Sequence, residues 1–331
     1  MKTNAAIDSA IQQYAELMIK NIENIKNGWQ KGWITANYSG EPTNILGKIY
    51  HGVNPFALTL YCMAKGYSIP VFITFKQCKA HDISVLKGEK AFPILFWTMC
   101  PYKVGNTGKN ITIGEYDNLS DREKQEYKLL PVLRRYLVFN IAQTDCETAN
   151  PNLWNRLKAK YSGDVKRFED TDGMYENEHL DKLIGGQWLC KVSCREQDNA
   201  FYRPSTDEIV LPLKAQFKRG KTAEEVYADG QEFYGTAIHE MIHSTGIKSR
   251  LNRTMGMFGN KDYAHEEFVA ELSAAFIGNQ LGFATRVQDN NAAYLNSWLK
   301  TCKEKPNDLL KILGCVDKAV TLFNERFNQT A

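Results

Sequence analysis

The sequence predicts an α+β protein in two parts, a small α+β domain over residues 1–150 and a helix-rich domain over 151–331. Three observations lead there. Residues 71–75, 92–97 and 136–140 are short runs rich in β-branched and aromatic residues, which favour strands. Residues 232–244 and 264–281 are helical patterns that no proline interrupts. A length of 331 residues suits two domains.

Taken in order, residues 1–25 read as an amphipathic helix with Ile7, Ile11, Tyr14, Met18, Ile22 and Ile25 at helical spacing. Asp8, Glu16 and Glu23 break any continuous apolar core, so the segment is not a secretory signal. Residues 37–54 are turn-rich, with Gly40, Pro42, Gly47 and Gly52. A short helix over 58–64 precedes the strands. A polar insertion, 105–128, separates the second strand from the third, and Ser120 with Glu123 makes a capping box inside it. Residues 150–195 read as a connector with helices of its own, its acidic stretch 164–178 exposed. A hairpin follows, 200–203 and 209–212, about a turn at Pro204 to Asp207. Residues 218–229 read as a solvent loop with a short helix. The helix over 232–244 stops at Gly246 in a left-handed cap, and the helix over 264–281 ends at Gly282. Residues 291–328 form two amphipathic helices.

Composition narrows the class. Apolar residues make up 43% and charged residues 24%, as in ordinary globular chains. Mean hydropathy is −0.42, and no apolar run approaches the ~20 residues of a membrane span. These values point to a cytoplasmic protein with no membrane partner. No two of the eight cysteines have C-x-x-C spacing, and Cys190 with Cys194 is too little for a zinc ribbon, so all eight read as reduced thiols. The net charge of +3 is uneven: residues 1–150 hold 17 Lys and Arg against 13 Asp and Glu, and residues 42–110 hold eight against two.

His239-Glu240-Met241-Ile242-His243 is an H-E-x-x-H motif. Residues four apart share a helix face, so both imidazoles can aim at one ion. Glu240 sits beside the open side of that ion, where it can take a proton from water. Histidine is scarce, six in 331, which makes two surface histidines on an ordinary helix the weaker explanation. Two histidines hold zinc poorly, so a third ligand is required. Glu267 and Glu271 share a face of the next helix, where Ala270, Ala274 and Gly278 would allow close approach. Glu267 is the favoured ligand to Zn2+; Glu271 would then hydrogen-bond a ligating histidine, or the two exchange roles.

Longer runs carry a family resemblance. His239 to Gly246, Arg250-Leu251-Asn252-Arg253, Phe258-Gly259 and Tyr263 to Leu272 resemble the zincin-like metallopeptidase domain of ArdC-type antirestriction proteins. Upstream, Pro42-Thr43-Asn44, Gly47 to Asn54, Thr74-Phe75-Lys76-Gln77, Lys87-Gly88-Glu89-Lys90, Val138-Phe139-Asn140 and Gln143-Thr144 resemble that family's N-terminal single-stranded-DNA-binding domain. Departures fall at Phe72, Leu86 and the insertions at 105–128 and 218–230. The resemblance implies a mobile-element protein that enters a recipient cell with conjugating DNA and protects it from restriction.

Two physical parts agree with that implication. Lys48, Lys76, Lys79, Lys87 and Lys90 offer charge and Tyr50 and Phe75, with Phe72, Phe96 and Trp97, offer π-faces, the combination that holds unpaired DNA without sequence preference. Aromatics alternating in strands are more often core. The metal half reads as a peptidase acting on a protein or peptide, with Tyr263, His265 and Arg253 as candidate oxyanion stabilisers. The competing reading is a single-stranded-DNA-binding module whose zinc is structural, although such a zinc needs no acid at Glu240. A nuclease is disfavoured, because the chain lacks a clustered two-metal carboxylate pattern.

Overall fold

A computed structural model describes residues 5–26, 34, 38, 40–103, 105, 111–161, 173–254, 261–283, 285 and 294–330. It mixes helices and two small sheets. Helix α1 (Ala5–Lys26) buries Ile11, Tyr14, Met18 and Ile22, the stripe its periodicity marks. Helix α2 (Asn54–Lys65) is longer than the expected 58–64, because Pro55 starts it early and Gly66, at φ 72°, stops it.

The first sheet has the order β1 (Thr43–Asn44), β2 (Val71–Ile73), β4 (Tyr127–Asn140), β3 (Phe92–Lys103). β1 runs parallel to β2, and the other pairs are antiparallel. The strand expected over 71–75 ends early. Thr74 accepts a hydrogen bond from the Gln77 backbone N–H and caps α3 (Phe75–Ala80). β3 and β4 pair without a break from Phe92 opposite Val138 to Lys103 opposite Tyr127. The expected strands 92–97 and 136–140 are therefore the roots of a long ribbon. What remains of the insertion carries α4 (Ile113–Asp117) and α5 (Asp121–Lys124), the second capped by Ser120 and Glu123 as expected.

After the short α6 (Cys146–Ala149), helices α7 (Pro151–Tyr161) and α8 (Glu178–Lys182) supply the expected helices of the connector. Its acidic stretch, 164–178, lies outside the described residues up to 172. The second sheet has the order β5 (Lys191–Cys194), β7 (Glu208–Leu211), β6 (Phe201–Arg203). β6 and β7 form the expected hairpin, while β5, parallel to β7, was not foreseen.

Helix α9 (Ala223–Thr245) starts well before 232, behind a Thr222–Glu225 capping box. The polar residues of its first turns hold the preceding loop: Asp229 accepts from the Arg219 and Gly220 N–H groups at 2.7 Å each, and Glu225 from that of Lys221. Their polarity is spent on this staple, which is why the segment reads as a loop. Gly246 follows with φ −77°, a right-handed conformation and not the expected left-handed cap. Its missing side chain serves proximity instead, since a Cβ there would lie 3.0 Å from the Arg253 guanidinium. Helix α10 (Lys261–Gln280) does end on a left-handed glycine, Gly282 at φ 85°.

Helices α11 (Leu295–Glu304) and α12 (Pro306–Asn328) close the fold, and both pack against α1. One continuous core runs from Tyr14 through Phe56 and Phe276 to Phe323. No helix among the described residues is long and apolar enough to cross a membrane.

Candidate metal centre

Small residues bring α9 and α10 together. The Thr285 methyl would lie 3.2 Å from a Cβ at Gly235 on one helix and 2.8 Å from one at Gly278 on the other, so a larger side chain at either would push it out. Ala270 and Ala274 are buried beside them. Across this contact His239, His243 and Glu267 meet, all buried. The two Nε2 atoms are 3.0 Å apart. Glu267 Oε2 lies 3.4 Å from His239 Nε2, and Oε1 lies 3.5 Å from His243 Nε2. Donors at tetrahedral angles on bonds of about 2.0–2.2 Å stand about 3.3–3.6 Å apart, so the triangle, with edges of 3.0, 3.4 and 3.5 Å, is close to one face of such a site. It suits a divalent ion held by two imidazoles and a carboxylate.

The ionisation of these groups follows from their neighbours. Burial opposes the charge on Glu267, but its hydrogen bonds to both histidines prevail and hold its carboxyl far below the usual carboxylate range. Burial likewise opposes a charged His243, yet Glu266 and Glu267 push its pKa well up. A cation bound by this triad would displace the protons that these neighbours favour on the two histidines.

Two further residues orient the site. The Nδ1–H of His243 faces Glu266 Oε1 at 3.2 Å, which directs Nε2 toward the triad. Arg253 grips that glutamate with two hydrogen bonds of 2.8 and 2.6 Å, and also reaches Thr245 Oγ1 and the Ile242 carbonyl. Sequence reasoning missed Glu266 and gave Arg253 another role. The available signal was three glutamates within six residues of an otherwise apolar helix. Glu271 is buried, with Oε1 4.0 Å from His239 Nδ1, beyond hydrogen-bond reach.

Glu240 is buried within electrostatic reach of both histidines and of Tyr263. The Tyr263 hydroxyl bonds Glu267, and burial together with that carboxylate raises its pKa strongly. His265 lies instead in the field of Asp308, and Arg253 is committed to Glu266. A cleft of about 1130 Å³ reaches His239 and Glu271 between the 197–200 segment, just before β6, and the 216–232 segment.

The residues expected to meet DNA separate into two groups. Lys48, Lys76, Lys79, Lys87 and Lys90 are exposed, as is Phe75 at 59%, with Lys79 Nζ 5.9 Å above its ring. Tyr50 differs. It is 7% exposed and packs edge-on against Phe72 and beside Phe96, so its ring backs the sheet and presents no free face.

Comparisons with known proteins follow the same division. Residues 8–139 match the N-terminal domain of anti-restriction factor ArdC, and residues 178–312 match the zincin-like metallopeptidase family. The DNA primase TraC of Escherichia coli is 31% identical over 93% of this chain, which spans only 26% of the primase's length. Crystal structures of the antirestriction protein ArdC from the R388 plasmid superpose with a TM-score of 0.66 at 26% identity. The metal-free form covers 96% of this chain and 98% of its own, and the Mn(II)-bound form 95% and 97%. Two domain matches in the same order and a neighbour that spans almost the whole fold lead to one assignment: the chain belongs to the ArdC-type family, an ArdC N-terminal domain followed by a zincin-like metallopeptidase domain.

Proposed function

We propose that this chain is an antirestriction protein of a mobile element that binds single-stranded DNA through residues 1–150 and hydrolyses peptide bonds, through residues 151–331, at a zinc ion held by His239, His243 and Glu267. The observation that carries the peptidase reading is the donor triangle with the buried acid Glu240 beside it. Two imidazoles and a carboxylate with a fourth position left open form the donor set of hydrolytic zinc. When bound, the ion supplies Lewis acidity and an acidified water.

The chain's own residues do the rest. Glu240 takes the proton of the attacking water and returns it to the leaving amine. Tyr263, whose protonated hydroxyl bonds Glu267 in this structure, would turn from that carboxylate to donate to the oxygen on which charge develops. Glu266, locked by Arg253, fixes the tautomer and tilt of His243. Glu271, with Oε1 4.0 Å from His239 Nδ1, sets a buried negative charge beside the imidazole and favours a proton on that nitrogen, leaving Nε2 for the ion. An extended peptide adds to the free edge of β6 along the cleft.

Support for DNA binding comes from the exposed lysines at 48, 76, 79, 87 and 90 and the Phe75 face among them. The TraC relative is named for work on DNA, and the ArdC neighbour for antirestriction. The site of action is the cytoplasm of the recipient cell.

The test uses the full chain, with and without single-stranded DNA, against an unfolded protein substrate. Glu240→Gln keeps the side-chain shape and removes the base, so metal stays bound and cleavage disappears. Unchanged cleavage in that variant rejects Glu240 as the base. No cleavage by metal-loaded wild type under any condition leaves the DNA-binding module with a structural ion as the function.

A further inference from the structure

We propose that the β3–β4 ribbon is the element around which unpaired bases stack, with Trp97 on one face and Tyr136 on the other as the principal rings and Arg135 and Arg134 as their respective phosphate partners. The inference rests on the single-stranded-DNA reading above and names the surface that reading lacks, since Tyr50 is buried.

The ribbon is packed at its root and again near its tip, where α4 lies against β3 around Pro101, and is open between them. From Phe96 outward on β3 and back to Leu137 on β4, most side chains stand in solvent, including Trp97 at 68% and Tyr136 at 48% exposure. A two-stranded ribbon is marginal alone, and exposed apolar area of this extent marks a binding surface.

Charge selects the occupant. Neither strand contains an aspartate or a glutamate; Lys103 at the tip is paired with Glu126 at 2.7 Å, which leaves Lys128, Arg134 and Arg135 as the cations along the strands. A protein partner would be met by a mixture of signs at the rim; a strand free of acids along its whole length suits a polyanion.

The register places a cation beside a ring on each face. Arg134 stands directly opposite Phe96, whose ring is 6.0 Å from that of Tyr136. On the other face Arg135 is opposite Leu95, one same-face step from Trp97. Same-face side chains repeat at about 6.6 Å, twice the ~3.4 Å per nucleotide of a stacked strand, so a ring can enter between two separated bases. Tyr50 supports this row from below, 6.3 Å from Phe96. A duplex hides its base faces and would gain only the phosphate contacts.

The experiment measures binding of a labelled oligo-dT to the full chain by anisotropy over a range of salt, with a duplex of equal length for comparison. Zinc content and circular dichroism confirm that each variant is folded. Trp97→Ala should weaken oligo-dT binding about tenfold at fixed salt while its salt slope stays the same. Arg134→Ala with Arg135→Ala should flatten the slope of log affinity against log salt by about 1.4, at ~0.7 per phosphate. Wild-type emission should be quenched by oligo-dT, and Trp97→Phe should lose the quench. If wild type binds and all these variants match it, the ribbon is not the surface although the DNA reading survives. If wild type does not bind, both fall. If Trp97→Ala leaves DNA affinity intact but changes the sedimentation of the protein, the ribbon is a protein interface and the proposal is overturned.

Discussion

Among the described residues, fourteen of the fifteen exposed large apolar side chains lie between Leu46 and Leu137, while the six buried histidines and glutamates all lie between His239 and Glu271. The first region leaves in water what chains normally bury, and the second buries what chains normally solvate. Each exception costs stability and so points to a ligand that reverses the cost, an apolar or π-bearing partner outside for the first and a cation inside for the second. The buried polar groups of the first region, among them Asn54 and Asn140, are uncharged, and their side chains are used to hold backbone: Asn54 bonds both the N–H and the carbonyl of Leu95 at 2.8 Å.

The comparison can be broken most sharply at His239. His239→Ala removes one vertex of the donor triangle, and metal content after gel filtration should fall from one ion per chain to none; full loading in that variant would mean that the buried charges serve something other than a cation. Next comes Arg253→Met. It leaves Glu266 buried without its cation, a change of about 3–5 kcal/mol, read as a lower midpoint in chemical denaturation. An unchanged midpoint would show that Glu266 is neutral or hydrated. In the first region, replacing Lys76, Lys79, Lys87 and Lys90 by alanine should flatten the oligo-dT salt slope by up to about 2.8, at ~0.7 per lysine in contact. A slope equal to wild type would remove that face from the binding surface.

The smallest effect is expected where the two regions meet. The half-buried Asp317 of α12 accepts from the Gly52 backbone N–H, and burial outweighs that bond and raises its carboxyl pKa. A carboxyl raised in the fold binds protons more readily folded than unfolded, so its contribution to stability declines as pH rises through the unfolded and then the folded pKa. Asp317→Asn should therefore raise the melting temperature slightly at pH 7 and leave it unchanged near pH 3. A fall at pH 7 would show that the charge is favourable there.

Much of the metal centre was legible because its parts are local. H-E-x-x-H fixes two donors by helix periodicity, and Glu267 and Glu271 share a face by the same rule. Glu266 was not legible as their partner. It points a third of a turn away from Glu267, and only the tertiary position of Arg253 shows that it meets the far side of His243. The ribbon escaped for a different reason. Residues 98–102 and 128–135 do pair as strands, but apart from Pro101 they are exposed or only partly buried, so no clean alternation of apolar and polar residues betrays them. Thr74 and Gln77 did carry a capping-box signal, which the apolar run before them concealed. Tyr50 reads as exposed in the sequence because a tyrosine in a turn-rich segment gives no sign of Phe72 and Phe96 beneath it.

The packing of α1 against α11 and α12 has a consequence in time. Lys303 Nζ meets Glu23 at 3.0 Å, and Lys26 reaches Asn296 at 2.6 Å. About 280 residues of synthesis separate the first pair, on the order of 15–55 s at about 5–20 residues per second. Until α11 and α12 leave the ribosome, the sheet can cover one side of α1, as where Tyr14 stacks on Phe92, but the side that those helices take stands open. The first domain therefore reaches its final packing only after the second has been made.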